Sequence, residues 1–355
     1  MILLTSVFIF VLAFLVAWRV TPRILRAYAN SGRVDSPGGR KQQKEPIPYG
    51  AGLAVLLGFA APFSLGMLAA WLAWDGAPQL LETHAAGIRS KAVMMVSILA
   101  GSSCMLVMGR LDDKHDLSAV KRFCVQLLAA CLVVAAGVRI TLFIASPTIQ
   151  IAITILWLVF VTNATNFIDN MDGLLAGSAL NSSLALGAIA ALNGQLFVGA
   201  FAIALAGAIA GVLPFNRHPA RIYLGDEGSM FLGFLLACLS TLLTYAKTDT
   251  PNSFDLRPFI VPLLCLSVPV VDGSFVILSR LGRGKAPWTP GLDHLSHRLV
   301  DCGQSRVSAV RWLWIAGLLC SAVAIVLQHQ TQMAFLFAGI FVIAAIYSCS
   351  RGVRT

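Results

Sequence analysis

Apolar runs long enough to cross a membrane recur along the whole chain, and no other feature constrains the fold as strongly. A helix needs about 17–25 mostly apolar residues to span the hydrocarbon core of a bilayer. Only 12% of the 355 residues are charged, whereas about a quarter are charged in a typical soluble domain. The sequence therefore predicts an all-α, polytopic integral membrane protein, with residues 1–355 forming one membrane-embedded domain.

About eleven transmembrane helices are predicted from the apolar runs. They are Ile2–Thr21, Gly52–Trp74, Ala92–Met108, Phe123–Ala145, Ile149–Thr162, Leu174–Leu192, Phe197–Pro214, Met230–Ala246, Phe259–Leu278, Trp312–Leu327 and Met333–Tyr347. The fifth run is short, and the polar residues after it are expected to continue its helix. The first run is interpreted as a retained helix, because no basic residue precedes it and no clear signal-peptide cleavage site follows it.

Lysine and arginine are distributed unequally between the two sets of predicted loops. One set holds 20 of them and the other holds 5. The positive-inside rule places the richer set in the cytoplasm, the N-terminus outside and the C-terminus in the cytoplasm. The net charge of +10 then follows from membrane orientation, and no nucleic-acid partner is predicted. Acids also cluster on the cytoplasmic side, which a rule on Lys and Arg does not explain; among them are Asp112, Asp113, Asp116, Asp169, Asp172, Asp226, Glu227 and Asp293.

The central polar stretch, Asn163–Gly177, joins two predicted spans. It carries the carboxylates Asp169 and Asp172 and the amide of Asn166. Such groups are costly inside hydrocarbon, so they are expected at a membrane face or around a cavity. If the stretch were helical, the two carboxylates would share a face, because they are three residues apart.

Two further acidic motifs flank other spans. Asp112 and Asp113, with Asp116 one turn later, form a group whose members repel unless a cation or proton separates them. Carboxylates with a phosphate substrate are a common way to hold Mg²⁺, although a solvated acidic cap is an equal alternative. Asp226 precedes a span in a glycine-flanked motif, which suits phosphate binding at a helix N-terminus or simple helix capping.

The longest predicted cytoplasmic loop carries His294, His297 and Arg298. This trio could bind a diphosphate or move protons, whereas a zinc site lacks a third soft ligand nearby. Lys41 belongs to a basic approach to the second span, which is either a substrate contact or a positive-inside anchor. Asp272 lies within a predicted span, and it is either functional or paired with a neighbouring helix.

With these motifs assembled, the chain resembles the polyprenyl-phosphate N-acetylhexosamine-1-phosphate transferases from Asp35 to about Leu299. The matching stretches are Pro46–Gly52, Gly109–Leu117 (GRLDDKHDL), Asn163–Gly177 (NATNFIDNMDGLLAG), Asn216–Gly233 (NRHPARIYLGDEGSMFLG), Pro269–Gly273 (PVVDG) and Asp293–Leu299 (DHLSHRL). The ten- to eleven-helix architecture of that family agrees with the predicted spans.

The resemblance implies a role for each motif. It implies that Asp112, Asp113 and Asp116 are catalytic acids, and that Asp226 and Asp113 bind Mg²⁺ or Mn²⁺. The implied substrate contacts are Asn166, Asp169, Asp172, His294, His297 and Arg298, and Lys41 is predicted as a further one. Members of the family often carry a further histidine where this chain has Ser296. That departure leaves the identity of the sugar open.

The resemblance also implies the reaction. A UDP-sugar would give a sugar 1-phosphate, such as N-acetylglucosamine 1-phosphate, to undecaprenyl phosphate and release UMP, as the first membrane step of a cell-surface polysaccharide. The expected setting is the cytoplasmic face of the bacterial cytoplasmic membrane, with the site in loops 23–49, 109–122, 163–173, 215–229 and 279–311. A homodimer is left open.

Two rival functions are considered. Asp169–Ala176 (DNMDGLLA) matches the start of the CDP-alcohol phosphatidyltransferase signature, but that signature then requires Arg, Gly, Asp and Asp. The chain has Gly177, Leu186, Ala190 and Gly194 at those spacings. A transporter or lipid flippase would place its charges near the membrane midplane on repeat-related helices, and no internal repeat is evident here.

Overall fold

The computed structural model describes residues 2–37, 45–72, 79–141, 144–243 and 257–327. Twelve α-helices lie within these ranges: α1 (Ile2–Asn30), α2 (Ala51–Leu72), α3 (Gln79–His115), α4 (Ala119–Ala135), α5 (Pro147–Phe167), α6 (Leu174–Leu192), α7 (Leu196–Asn216), α8 (Gly225–Leu242), α9 (Arg257–Cys265), α10 (Ser267–Gly282), α11 (Leu295–Asp301) and α12 (Arg306–Leu327). The strands β1 (Val34–Asp35) and β2 (Ile47–Pro48) form one antiparallel pair, with Val34 opposite Pro48.

Seven of the described helices are long and apolar enough to cross a membrane, and α9 with α10 makes an eighth if the bent pair is one span. The class of an all-α, polytopic membrane protein is therefore confirmed. The number of eleven spans stays a prediction, and Met333–Tyr347 lies outside the described residues. Helix α4 has 17 residues and ends at Ala135, so the predicted continuous span Phe123–Ala145 is wrong.

The helix that contains the third apolar run extends further than hydropathy predicts. Helix α3 continues to His115, so Asp112 and Asp113 lie in its last turns rather than in a loop. Helix α5 also continues past the predicted end of its apolar run, as expected, but it ends at Phe167. Residues 168–173 form turns, and therefore Asp169 and Asp172 do not share a helical face.

The predicted span Phe259–Leu278 is not one continuous helix, because α9 and α10 are bent by 90° at Leu266. Pro269 has no N–H to donate to the Cys265 carbonyl one turn earlier, so the helix loses a hydrogen bond at this point. The Ser182 hydroxyl of α6 donates to that Cys265 oxygen instead, at 2.7 Å. The side chain from a neighbouring helix therefore satisfies the group that the break exposes.

Close backbone contacts hold the helices together at small residues. A side chain at Gly207 of α7 would collide with the Phe10 carbonyl of α1, and one at Gly109 of α3 would collide with the Asp226 carbonyl of α8. In membrane proteins such small residues allow two helices to approach at backbone distance. At Gly109 this approach brings the C-terminal turns of α3 against the first turn of α8.

Candidate active site

The N-terminus of α8 is surrounded by carboxylates from two other elements. Asp113 of α3 accepts the backbone N–H groups of Asp226 at 3.0 Å and Glu227 at 3.1 Å. Asp169, in the turn after α5, accepts the N–H of Gly225. The first N–H groups of a helix have no partner within the helix and carry its partial positive charge. The carboxylates therefore stabilise this helix end and meet there.

Asp226 itself faces two of the other motifs. Its Oδ1 accepts a hydrogen bond from Asn166 Nδ2 at 2.5 Å, and its carboxyl group lies within hydrogen-bond reach of Asp112. Asp112 also accepts bonds from Arg122 Nη1 at 2.9 Å and from the Leu117 N–H at 2.7 Å. We call Asp112, Asp113, Asp169 and Asp226 the acidic centre. Two carboxyl groups as close as Asp112 and Asp226 need a proton or cation between them.

The pKa of Asp169 reflects this crowding. Although part of the residue remains exposed, protein surrounds its carboxyl group, and this desolvation is the largest of the effects that together raise the pKa to about 7. The negative charge of Asp113 raises the pKa further, whereas the hydrogen bond from the Gly225 N–H lowers it. A cation among these carboxylates would favour the ionised form and lower the pKa.

The residues of the acidic centre fit Mg²⁺ by the chemistry of their donors. No group of three or more His, Cys, Asp or Glu side chains within the described residues is arranged to hold a metal. Mg²⁺ is, however, usually bound by one or two carboxylates, with water and substrate phosphates as its other ligands. The adjacent carboxyl groups of Asp112 and Asp226 are hard oxygen donors of this kind. Both oxygens of Asp113, the other predicted ligand, accept N–H groups of α8, and both oxygens of Asp112 also accept hydrogen bonds, from Leu117 and Arg122.

Asp172 forms its hydrogen bonds with residues outside the acidic centre. Its Oδ2 binds His218 Nδ1 at 2.8 Å and accepts the Ala220 N–H at 3.1 Å. Both Asp172 and His218 line a cavity of about 830 Å³, to which Arg221 and Arg306 contribute positive charge. The cavity therefore offers cationic groups next to one of the predicted substrate contacts.

The histidine motif is attached to two elements. Asp272 of α10 binds His294 Nδ1 at 2.8 Å, and Ser296 Oγ donates to Asn170 Oδ1 in the turn after α5 at 2.7 Å. The His297 ring lies 6.0 Å from that of His294. Burial lowers the pKa of His297, and its electrostatic interactions with His294 and Arg306 lower it further. Because the Ser296 hydroxyl binds Asn170, the histidine motif and the central polar stretch form one surface.

Arg298 is held differently from the two histidines. Its guanidinium lies 4.2 Å from the centre of the Phe275 ring, a cation–π contact. Its Nη1 is buried and has no hydrogen-bond partner among the described residues. An unpaired buried donor of this kind is costly and can be satisfied by an anionic ligand.

Asp116 is a predicted catalytic acid whose side chain the structure does not bring to the acidic centre. Asp116 is exposed beyond the end of α3, with φ of 48°, and its backbone N–H donates to the Asp112 carbonyl at 2.9 Å. Lys41 lies outside the described residues.

Sequence reasoning missed several partners of the site residues, namely Arg122, Asn170, His218 and Ser229. No role is predicted for His218 from the sequence, and its partner Asp172 is 46 positions away. No local spacing could reveal a pair of that separation. Ser229 accepts a hydrogen bond from Asn166 at 2.9 Å. Its position three residues after Asp226 is the sequence signal that could have identified it as a site residue.

Comparison with known proteins places this site in a family. The sequence profile described as "Glycosyl transferase family 4" matches residues 95–244. A Bacillus subtilis (strain 168) protein named "Probable undecaprenyl-phosphate N-acetylglucosaminyl 1-phosphate transferase" is 31% identical over 336 residues, which cover 92% of this chain and 86% of the relative. The chain belongs to glycosyl transferase family 4. The predicted resemblance is thus confirmed.

Other relatives of this family 4 transferase agree. The "Decaprenyl-phosphate N-acetylglucosaminephosphotransferase" of Mycobacterium tuberculosis (strain H37Rv) is 29% identical over 342 residues, covering 89% of this chain and 81% of the relative. The "Undecaprenyl-phosphate alpha-N-acetylglucosaminyl 1-phosphate transferase" of Escherichia coli (strain K12) is 24% identical over 349 residues, covering 92% and 83%. The profile match includes the whole acidic centre and ends before the histidine motif.

Proposed function

We propose that this family 4 transferase moves N-acetylglucosamine 1-phosphate from a UDP-sugar to a polyprenyl phosphate, with undecaprenyl phosphate as the expected lipid, and releases UMP. The observation that carries the proposal is the meeting of Asp112, Asp113, Asp169 and Asp226 at the N-terminus of α8. The names of the relatives, which specify polyprenyl-phosphate N-acetylglucosamine-1-phosphate transferases, supply the substrate class.

The bond changes of the proposed reaction are those of a phosphoryl transfer. An oxygen of the lipid phosphate forms a bond to the phosphorus that carries the sugar. The bond from that phosphorus to the bridging oxygen breaks, and UMP leaves with this oxygen. A carboxylate of the Asp112–Asp113 pair accepts the proton of a monoprotonated lipid phosphate. Most of the acceleration in such reactions comes from positioning and charge neutralisation.

Mg²⁺ or Mn²⁺, when bound, would neutralise phosphate charge at the acidic centre. Asp226 and Asp112 are the residues that would hold it, and Asn166 and Ser229 orient Asp226 through the hydrogen bonds described above. Asp113 positions Asp226 indirectly, because it binds the backbone of the first turn of α8. The protein's own contribution is thus a preorganised set of oxygen donors.

The donor nucleotide is assigned to the cavity beside Asp172. Its volume of about 830 Å³ lies in the range of small-molecule sites, which is roughly 300–1,000 Å³. Arg221 and Arg306 supply charge for the diphosphate, and Tyr223 supplies an aromatic surface. The motif that carries His294, His297 and Arg298 is linked to the central polar stretch through Ser296 and Asn170, and Arg306 of the cavity acts electrostatically on His297.

We place the acidic centre at the cytoplasmic face of a bacterial cytoplasmic membrane, with the N-terminus outside and the C-terminus inside after about eleven spans. The support is the excess of 20 Lys and Arg over 5 between the predicted loop sets. UDP-sugars are made in the cytoplasm, so this orientation gives the site access to its donor. A homodimer is compatible with the proposal but is not required for it.

The deciding experiment measures UMP release by detergent-purified protein. Undecaprenyl phosphate, a panel of UDP-sugars and a magnesium titration should give UMP and a lipid-linked sugar 1-phosphate, with UDP-N-acetylglucosamine as the best donor. Release of CMP from CDP-diacylglycerol would instead favour the phosphatidyltransferase alternative. Lipid movement across vesicles without nucleotide release would favour a flippase.

A further inference from the structure

Asp272 is a buried carboxylate for which the proposed reaction has no role so far. It lies on α10 and is 3% exposed. At the next residue, Gly273, an added Cβ would lie 2.7 Å from the Cβ of Ala164, so α10 packs directly against the last turn of α5. Ala164 precedes Asn166 of the acidic centre's hydrogen-bond network by two residues. The position of Asp272 is therefore set by the same helix that supports the candidate site.

Both carboxylate oxygens of Asp272 bind the histidine motif. Oδ2 lies 2.8 Å from His294 Nδ1, and Oδ1 accepts the Leu295 N–H at 2.7 Å. The His294 ring also lies 6.3 Å from the Phe167 ring, at the end of α5. These contacts determine where the imidazole lies and how it is turned.

The other ring nitrogen of His294 is available to a ligand. Nε2 forms no hydrogen bond to the described residues, and it is not among the side-chain atoms that are both buried and unpartnered. A histidine that is held through one nitrogen presents the other in a defined direction, and the held nitrogen decides which tautomer is present.

We propose that Asp272 is a positioning residue for the transfer reaction. It keeps a proton on Nδ1 of His294 and stabilises the doubly protonated ring, whose Nε2–H donates to the diphosphate of the sugar nucleotide. An aspartate in this relation to a histidine has both effects in other enzymes. The inference rests on the proposed function for the identity of the ligand, but not for the contact between the two side chains.

Of the charged groups near His294, Asp272 is the acid best placed to bind its ring. Asp293 precedes His294 in the chain, but its carboxylate binds Arg280 through two hydrogen bonds of 3.0 and 2.8 Å. His297 is the other titratable group beside the ring, and it is cationic when protonated. Helix capping at Leu295 requires only one oxygen of Asp272, so it does not account for the contact with Nδ1.

The experiment uses the full chain labelled with ¹⁵N-histidine in detergent with Mg²⁺. The six histidines give few signals, and comparison with His294→Gln identifies that of His294. We expect Nδ1 to be protonated in the resting protein, and both nitrogens to be protonated after addition of UDP-N-acetylglucosamine without lipid acceptor. In Asp272→Asn the amide can donate to Nδ1, so the proton should move to Nε2 and the doubly protonated state should be lost.

Turnover is measured on the same variants. Asp272→Asn should lower kcat at least about tenfold, by analogy with the lower end of the loss when a residue that orients a metal-ligating histidine is removed. The matched control is Asp301→Asn, which removes an exposed carboxylate at the end of α11, and it should keep the wild-type His294 signal and kcat.

An unprotonated Nδ1 in the resting wild type overturns the inference. So does a bound UDP-sugar that leaves the ring singly protonated, or Asp272→Asn with wild-type spectrum and kcat. If Asp272→Asn does not fold, the wild-type spectra alone decide. If the wild type neither binds nor turns over any UDP-sugar, the proposed function fails, whereas the resting spectrum still tests the pairing of Asp272 with His294.

Discussion

At the scale of single residues, each aspartate of the acidic centre has a different set of partners. Asp113 and Asp169 bind backbone N–H groups at the start of α8, and Asp112 binds Arg122. Asp226 is bound by the neutral amide of Asn166 and approaches Asp112. Among the described residues, Asp226 is thus the acid of the centre whose charge is least offset by N–H groups or a cationic side chain. This makes it the best candidate for a metal contact.

Replacing Asp226 by Asn should lower UMP release by about a hundred- to a thousandfold, the loss expected when one preorganised electrostatic group is removed. Asn is nearly the same size, so the fold should remain, but a neutral amide is a poor ligand for Mg²⁺. The measurement is kcat during a magnesium titration with purified, monodisperse protein.

Asp116→Asn serves as the comparison, because the Asp116 side chain is exposed and only its backbone N–H binds the centre, at the Asp112 carbonyl. It should lose far less activity than Asp226→Asn. Equal losses would restore Asp116 to the catalytic role that its motif predicts, and a fully active Asp226→Asn at low magnesium would remove Asp226 from the metal site.

At the scale of the elements, two helix contacts position the site. The close approach of α3 to α8 depends on Gly109, and the loop before α11 is tied to α10 by the pair of Arg280 and Asp293. Both side chains of that pair are mostly buried. One contact therefore sets the geometry of the acidic centre, and the other sets that of the histidine motif.

Gly109→Ala should lower both the thermal midpoint and UMP release, because the added methyl group meets the Asp226 backbone, which cannot move without displacing the start of α8. Gly282→Ala is the matched control, since an added Cβ there meets nothing within 4 Å. Thermal unfolding and turnover are measured on both variants. A stable and active Gly109→Ala protein would show that this contact is loose.

Asp293→Asn should lower the thermal midpoint at neutral pH, because it leaves the buried Arg280 cation unpaired. The hydrogen bonds from Arg280 hold the pKa of Asp293 below its usual value. Its stabilising effect is therefore fully present above the ordinary pKa of about 3.9 and is lost as the pH falls through the lower, folded-state value. The difference in midpoint between variant and wild type should shrink on acidification.

Midpoints are compared from neutral pH downward, with Asp301→Asn as an exposed-acid control. A difference that does not change with pH would mean that Arg280 is held mainly by its bond to the Pro287 carbonyl, at 2.6 Å.

At the scale of the whole molecule, all the motif-bearing helix ends meet at one end of the helix assembly. The C-terminal turns of α3, the end of α5 and the start of α8 are joined by direct hydrogen bonds. The histidine motif joins them through Ser296 and Asn170. One membrane face should therefore carry every step of the reaction.

Cys302 reports on the orientation of this face, because it is exposed directly after α11. In intact cells it should react with a membrane-permeant thiol reagent and be spared by an impermeant one, as read by mass spectrometry of its peptide. A cysteine introduced at Arg139, on the predicted outer side, is the control and should react with both reagents. Labelling of Cys302 by the impermeant reagent would contradict a cytoplasmic site.

The sequence by itself determined the membrane class, most helix positions and the chemistry of the motifs, because hydropathy and the types of ionisable group are properties of short segments. It led to the family as well, since Gly109–Leu117, Asn163–Gly177 and Asn216–Gly233 lie in the characteristic order. Only the tertiary structure decided which groups meet. The partners of Asp172 and Asp272, the 90° bend at Leu266 and the isolation of Asp116 depend on packing between distant segments, and no local pattern encodes those distances.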